Sequence, residues 1–126
     1  MTHLHFDHFD EVAAKVLPKA LTLFSQSEEE AQILRGMGFD DVRVLSGEGI
    51  AFDGVRLYRT KCDHGSSNLV TVDGYKDRGL TEKASGVVFE SVAETERFYL
   101  AGDTIYCQLV VDAVEKFKPG IVAVNA

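Results

Sequence analysis

The chain is poor in positive charge: 13 lysines and arginines stand against 20 aspartates and glutamates, a formal net charge of −7. No basic stripe offsets that balance, so the surface repels nucleic acid and anionic membrane rather than recruiting them. No apolar run is long enough to span a bilayer, and no cationic start leading into an apolar stretch marks a signal peptide. The cytoplasm is the expected location. The two cysteines, Cys62 and Cys107, make no framework pattern and are read as reduced thiols. Cys62 reads as a small buried hydrophobe, and Cys107 falls near a predicted helix start, where a helix dipole lowers a thiol's pKa. There is also no internal repeat and no low-complexity tract.

What is present is enough for one folded domain over residues 1–126. At 126 residues and 45% hydrophobic content, a globular chain buries roughly two-thirds of its unfolded surface. The histidines are few and unevenly placed. All four stand in two short stretches, Thr2-His-Leu-His-Phe-Asp-His-Phe-Asp10 and Cys62-Asp-His-Gly65. In an extended segment residues i and i+2 face the same side, so His3, His5 and Asp7 converge on one volume, and His8 follows from the turn beyond. A lone histidine is usually a surface or core residue, but three histidines and two aspartates within nine residues, with no lysine or arginine among them, are better explained by a bound cation. Imidazole nitrogen and carboxylate oxygen suit zinc, and they also admit manganese or iron.

The rest of the pattern is mixed α and β. Asp10–Leu17 reads as a short helix closed by Pro18, and Leu21–Phe24 as a buried strand. Ser27-Glu-Glu-Glu30 is a capping-box start for a helix stopping at Gly36 or Gly38, followed by a strand at Val42–Leu45. Asp53-Gly54 between apolar flanks signals a hairpin within Ile50–Thr60, which delivers His64 to a strand end. The glycine-punctuated stretch from Gly65 to Ala84 reads as an active-site loop or a mobile lid. It carries Lys76, Arg78 and Lys83, which are read as ordinary loop charges. Strands are expected at Gly86–Glu90 and Arg97–Ala101, a helix at Val110–Phe117, and a last strand at Ile121–Val124.

His3-Leu-His5-Phe-Asp7-His8 resembles the His-x-His-x-Asp-His signature of metal-dependent hydrolases of the metallo-β-lactamase fold. The later His64-Gly65 and Gly102-Asp103-Thr104 occur in the order that fold requires. The wording around Phe98–Thr104 is most similar to the branch that includes the L-ascorbate-6-phosphate lactonase. The resemblance implies an α/β fold, a partial αβ/βα sandwich of mixed sheet flanked by helices. It implies one metal ion on His3, His5 and His64, a second on Asp7 and His8, and Asp103 bridging them. Asp7 would also handle the proton of the attacking water. Thr2 and Thr104 flank these ligands and are candidates to orient them by hydrogen bonds.

The resemblance runs from the first residues to Ala126, so the domain is expected to be incomplete at both ends, lacking strands before the histidine motif and a further histidine ligand after the last strand. Segments at a chain end order poorly without neighbouring strands, and an apolar edge invites association. The expected partners are therefore a small-molecule substrate and a second copy completing the sheet edges, with no nucleic acid and no membrane. The expected activity is hydrolysis of a small ester, lactone or phosphorylated metabolite by a metal-activated water. The alternative is a truncated metal-binding or oligomerising module without turnover. A nuclease of the same superfamily is disfavoured by the acidic balance.

Overall fold

Asp53 and Gly54 turn the chain with two consecutive left-handed residues, φ 47° and 79°, the combination a two-residue hairpin between right-twisted strands requires. That hairpin opens the larger of two sheets in a computed structural model that describes residues 1–5, 8–64 and 84–125. In chain order the elements are α1 (Glu11–Val16), β1 (Thr22–Ser25), α2 (Glu28–Gly36), β2 (Asp41–Val44), β3 (Ile50–Phe52), β4 (Val55–Lys61), β5 (Ser85–Ser91), β6 (Phe98–Leu100), α3 (Gln108–Phe117) and β7 (Ile121–Ala123).

Both early helices start on side-chain caps. The Asp10 carboxylate accepts the Ala13 N–H at 2.7 Å, and the Ser27 hydroxyl accepts the Glu30 N–H at 3.3 Å. The first two strands lie one residue away from their expected bounds. Their limits follow backbone pairing, Thr22 to Asp41 through Ser25 to Val44, rather than the apolar runs that suggested them. Of the loop expected at Gly65–Ala84, residues 65–83, with their three cationic residues, lie outside the described residues.

β1 and β2 form a parallel pair, and the other five strands form one sheet in the order β3-β4-β5-β6-β7. Neighbours in that sheet are antiparallel as far as β6, and β7 runs parallel to β6. Three apolar clusters then define four layers. Leu34 and Ala31 of α2 pack with Val42, Phe39 and Leu4 on the outer face of the small sheet. Leu45 meets Leu57 and Val87 between the sheets, with Phe24 and Phe89 packed against them. Ala113 and Phe117 of α3 cover Val88 and Tyr99 on the far side. The architecture is an α/β sandwich with helices on both outer faces. Among the described residues, no helix is long and apolar enough to cross a membrane.

One face of the large sheet carries an unbroken apolar row in register, Ile50, Leu57, Phe89, Phe98 and Ile121. The small sheet shields its first part, whereas Phe98 is 36% and Ile121 59% exposed. Between the sheets lies a cavity of about 360 Å3, lined by Leu23, Phe24, Leu57 and Phe89 together with His3 and His8.

The β4–β6 end of α3 is held by a charged knot. The Tyr58 hydroxyl donates to Glu90 Oε2 at 2.7 Å, Arg97 Nε donates to Glu90 Oε1 at 2.7 Å, and Arg97 Nη1 donates to the Phe117 carbonyl at 2.9 Å. The hydrogen bonds from Tyr58 and then Arg97 hold the Glu90 carboxyl below its ordinary range. A carboxyl depressed on folding stabilises above the unfolded pKa, and that stabilisation is lost as pH falls through the folded value. Glu90→Gln is expected to cost about 1 kcal/mol at pH 7 in urea unfolding, with the gap to wild type closing as the pH falls through the lowered carboxyl pKa. A gap that stays constant with pH would contradict this role for the carboxylate.

Candidate metal centre

β4, β6 and β7 all point the same way, because β5 runs against β4 and β6 while β7 runs with β6. Their carboxyl ends therefore share one sheet edge. His64 lies three residues past β4, Asp103 three past β6 and Asn125 two past β7. The amino-terminal segment is tied to the same edge. Ser85, at the start of β5, donates its backbone N–H and its hydroxyl to the Thr2 carbonyl at 3.0 and 3.2 Å. The Met1 amine donates to the Phe24 carbonyl at 2.6 Å. His8 comes back through a turn in which its own N–H and that of Phe9 both donate to the His5 carbonyl at 2.9 Å.

Gly102 lets Asp103 face this segment. Its φ is 72°, and a Cβ there would stand 2.6 Å from the Ser85 carbonyl oxygen and 3.3 Å from Thr2 Cγ2. Only glycine meets both demands without strain. Thr104 and Ile105 then secure the neighbouring ligand loop: the Asp63 N–H donates to Thr104 Oγ1 at 3.1 Å and the Ile105 N–H to the Asp63 carbonyl at 2.8 Å.

The side chains so placed converge on a single atom. Asp103 Oδ2 lies 3.0 Å from His8 Nε2, 3.2 Å from His64 Nε2 and 3.7 Å from His3 Nε2. The His5 ring centroid is 4.3 Å from that of His3 and 4.9 Å from that of His64. Two overlapping donor sets result, His3–His5–His64 and His3–His8–Asp103. Within each, one ligand atom per residue lies within 4.8 Å of the others.

His3 is fully buried. The Thr2 hydroxyl stands 3.3 Å from its Nδ1, which leaves Nε2 facing the cluster. Burial first, then the His5 and His8 imidazoles, lower its pKa to about 4 against the opposing pull of Asp103. A neutral imidazole is the form that ligates a metal. For Asp103, burial acts to raise the pKa. Hydrogen bonds from Asn125 and His8 outweigh it and keep the carboxyl below its ordinary range.

The donor set fits a divalent cation. His3 Nε2 and His64 Nε2 are buried without a hydrogen-bond partner among the described residues. The 3.2 Å between His64 and Asp103 is short enough for a hydrogen bond but not aligned as one. Buried polar atoms seldom stay unpartnered, and nitrogen and oxygen donors aimed at one volume supply the ligands zinc, manganese or iron take.

Of the residues expected at the site, His3, His5, His8, His64 and Asp103 are brought together, and Asp7 lies outside the described residues. His3 belongs to both donor sets, its buried ring lying at the middle of the cluster. Thr2 touches an imidazole as expected of an orienting group, whereas Thr104 ties two loop backbones together. Cys62 donates its thiol to the Asp103 carbonyl at 3.7 Å, and burial, followed by the influence of Cys107, pushes its pKa up to about 11. This thiol is a packing group at pH 7. Cys107 is the N-cap residue of α3 and makes no capping hydrogen bond with its side chain. Sequence reasoning missed Asn125, which donates its amide to Asp103 Oδ1.

Gly102→Ala is expected to lower stability by about 2 kcal/mol or more in urea unfolding, since a strained left-handed backbone and a clash with Ser85 coincide. An unchanged midpoint would show that the loop carrying Asp103 is not held as described.

No family model matches the chain. Over 125 residues it is 37% identical to the UPF0173 protein YddR of Bacillus subtilis (strain 168), an alignment covering 99% of this chain and 46% of that protein. Among solved structures it is similar to an isothiocyanate hydrolase from Delia radicum gut bacteria, with 36% identity and a TM-score of 0.77. The match covers 96% of this chain and 45% of that one. It is also similar to a possible metal-dependent hydrolase from Veillonella parvula DSM 2008, with 33% identity and a TM-score of 0.84, over 99% and 46% of the two chains. The chain thus spans a little under half the length of the relatives it matches. In sequence and fold this chain is similar to a hydrolase and to a possible metal-dependent hydrolase, in keeping with the metallo-β-lactamase-type sandwich its histidine motif resembles.

Proposed function

We propose that the chain carries the metal centre of a metal-dependent hydrolase. The single observation behind this reading is the convergence of three imidazole nitrogens on Asp103 Oδ2, two of them buried without a hydrogen bond among the described residues. A bound divalent cation supplies Lewis acidity, which acidifies water and polarises a scissile bond. His3, His5 and His64 would hold one ion and His8, with Asp7 by resemblance, a second, with Asp103 a ligand to both. Zinc is the first candidate, with manganese or iron as alternatives.

In this reading the chain's own groups have distinct tasks. Burial keeps His3 neutral, and Thr2 holds its Nδ1, so Nε2 is available as a ligand. Asp103 contributes a carboxylate kept ionised at neutral pH. Asp7 is assigned the proton of the attacking water on the resemblance alone. A small ester, lactone or phosphorylated metabolite is the substrate class we infer. A second class is favoured by the solved relative named as an isothiocyanate hydrolase: a small organic isothiocyanate, whose apolar substituent suits the apolar cavity lined in part by His3 and His8.

Elemental analysis of protein purified without added metal should find at least one equivalent of zinc, manganese or iron, reduced in His64→Ala. A screen with activated esters, lactones, phosphodiesters and an aryl isothiocyanate should find turnover that chelator removes and that Asp7→Asn lowers about 100-fold or more. Metal-free wild-type protein would overturn the metal centre. Metal-loaded protein inert to every substrate class would favour the module without turnover.

A further inference from the structure

Asp103 is the acidic member of the cluster, and an aspartate's terminal torsion is soft: rotation about the bond to the carboxyl has a broad, roughly two-fold profile rather than three sharp wells. Something must decide which oxygen faces the histidines. Most contacts around Asp103 hold its backbone. Cys62 donates to its carbonyl, Gly102 sets the turn, and the Ala101 N–H donates to the Ala123 carbonyl at 2.9 Å. Among the described residues its carboxylate takes hydrogen bonds from two side chains, His8 on Oδ2 and Asn125 on Oδ1. His8 is itself a candidate ligand. Asn125 is outside both donor sets.

Asn125 reaches that oxygen through register. β7 pairs with β6 in parallel, Leu100 opposite Ala123, and the Ala101–Ala123 hydrogen bond carries the pairing one step further. The next residues of the two strands therefore run side by side past the sheet edge, Asp103 on one and Asn125 on the other. Its amide N–H can only donate to a carboxylate, so it occupies Oδ1 and does not compete for Oδ2. Oδ2 is left facing His8, His64 and His3 at 3.0, 3.2 and 3.7 Å.

We propose that Asn125 is a positioning residue of the metal centre: by holding Asp103 Oδ1 from the end of β7, it presents Oδ2 to the metal site that the histidines line. The inference rests on the metal-centre reading of the preceding subsection. Groups that orient ligands in this way typically change metal affinity 10- to 100-fold when removed. Asn125 is exposed and lies beyond the last strand, so its loss leaves the packed layers intact.

The test is calorimetric titration of zinc into metal-stripped wild type, Asn125→Ala, Asp103→Ala and the double variant, with thermal melting of each metal-free protein as a control. Asn125→Ala should melt as wild type does and bind zinc about 10-fold or more weakly. In the Asp103→Ala background it should have no further effect, since it acts only through that carboxylate. Zinc affinity equal to wild type in Asn125→Ala would overturn the proposal, as would an undiminished loss in the Asp103→Ala background. Wild-type protein that takes up no zinc, manganese or iron would remove the metal-centre reading itself, an outcome distinct from either of these.

Discussion

Three imidazoles crowd one carboxylate oxygen, and two of their inward nitrogens make no hydrogen bond among the described residues. This arrangement is costly in isolation, because each buried donor or acceptor without a partner forfeits about 1–3 kcal/mol of hydration. A chain that merely needed a packed interior would put aliphatic groups there. Full burial of His3 and the Thr2 hydroxyl at its outer nitrogen keep the neutral ring fixed with one nitrogen directed inward. The unsatisfied nitrogens and the ionised Asp103 are complementary to a cation, and that complementarity is what the surrounding structure serves.

The sheet supplies the position. Parallel running of β4, β6 and β7 brings three loops to one edge, and those loops carry His64, Asp103 and Asn125. The beginning of β5 lies at the same edge and anchors Thr2, so the amino-terminal histidines meet the others across the sheet end. Gly102 permits the close approach of the two segments. The layers behind the edge do a different job: α3 and the small sheet bury Tyr99, Val88, Leu57 and Leu45 and form the packed body from which the edge loops project. The apolar row that continues outward to Phe98 and Ile121 is shielded only in part by the elements described.

Local chemistry made much of this legible in the sequence. The Asp53-Gly54 turn and the Ser27 cap are decided within four residues, and each occurs where the spacing predicts; Asp10, read as the first helical residue, is instead the N-cap of α1. The histidine motif was legible for the same reason, as its ligands are close neighbours in the chain. His64 and Asp103 could be joined to it only through resemblance, since their approach depends on strand pairing across many residues. Asn125 was illegible. Nothing about an asparagine after an apolar run marks it, and its role arises from the parallel register of β6 with β7, a non-local feature. Strand limits also shifted by a residue, because hydrogen-bonded register rather than apolar content sets where a strand begins.

The most direct test of the account is crystallography of zinc-loaded protein, with diffraction data collected on both sides of the zinc absorption edge. An anomalous peak within coordination distance of His3 Nε2, His64 Nε2 and Asp103 Oδ2 is the predicted result. Zinc bound only elsewhere on the chain, or His64 and Asp103 found apart from the amino-terminal histidines, would contradict it.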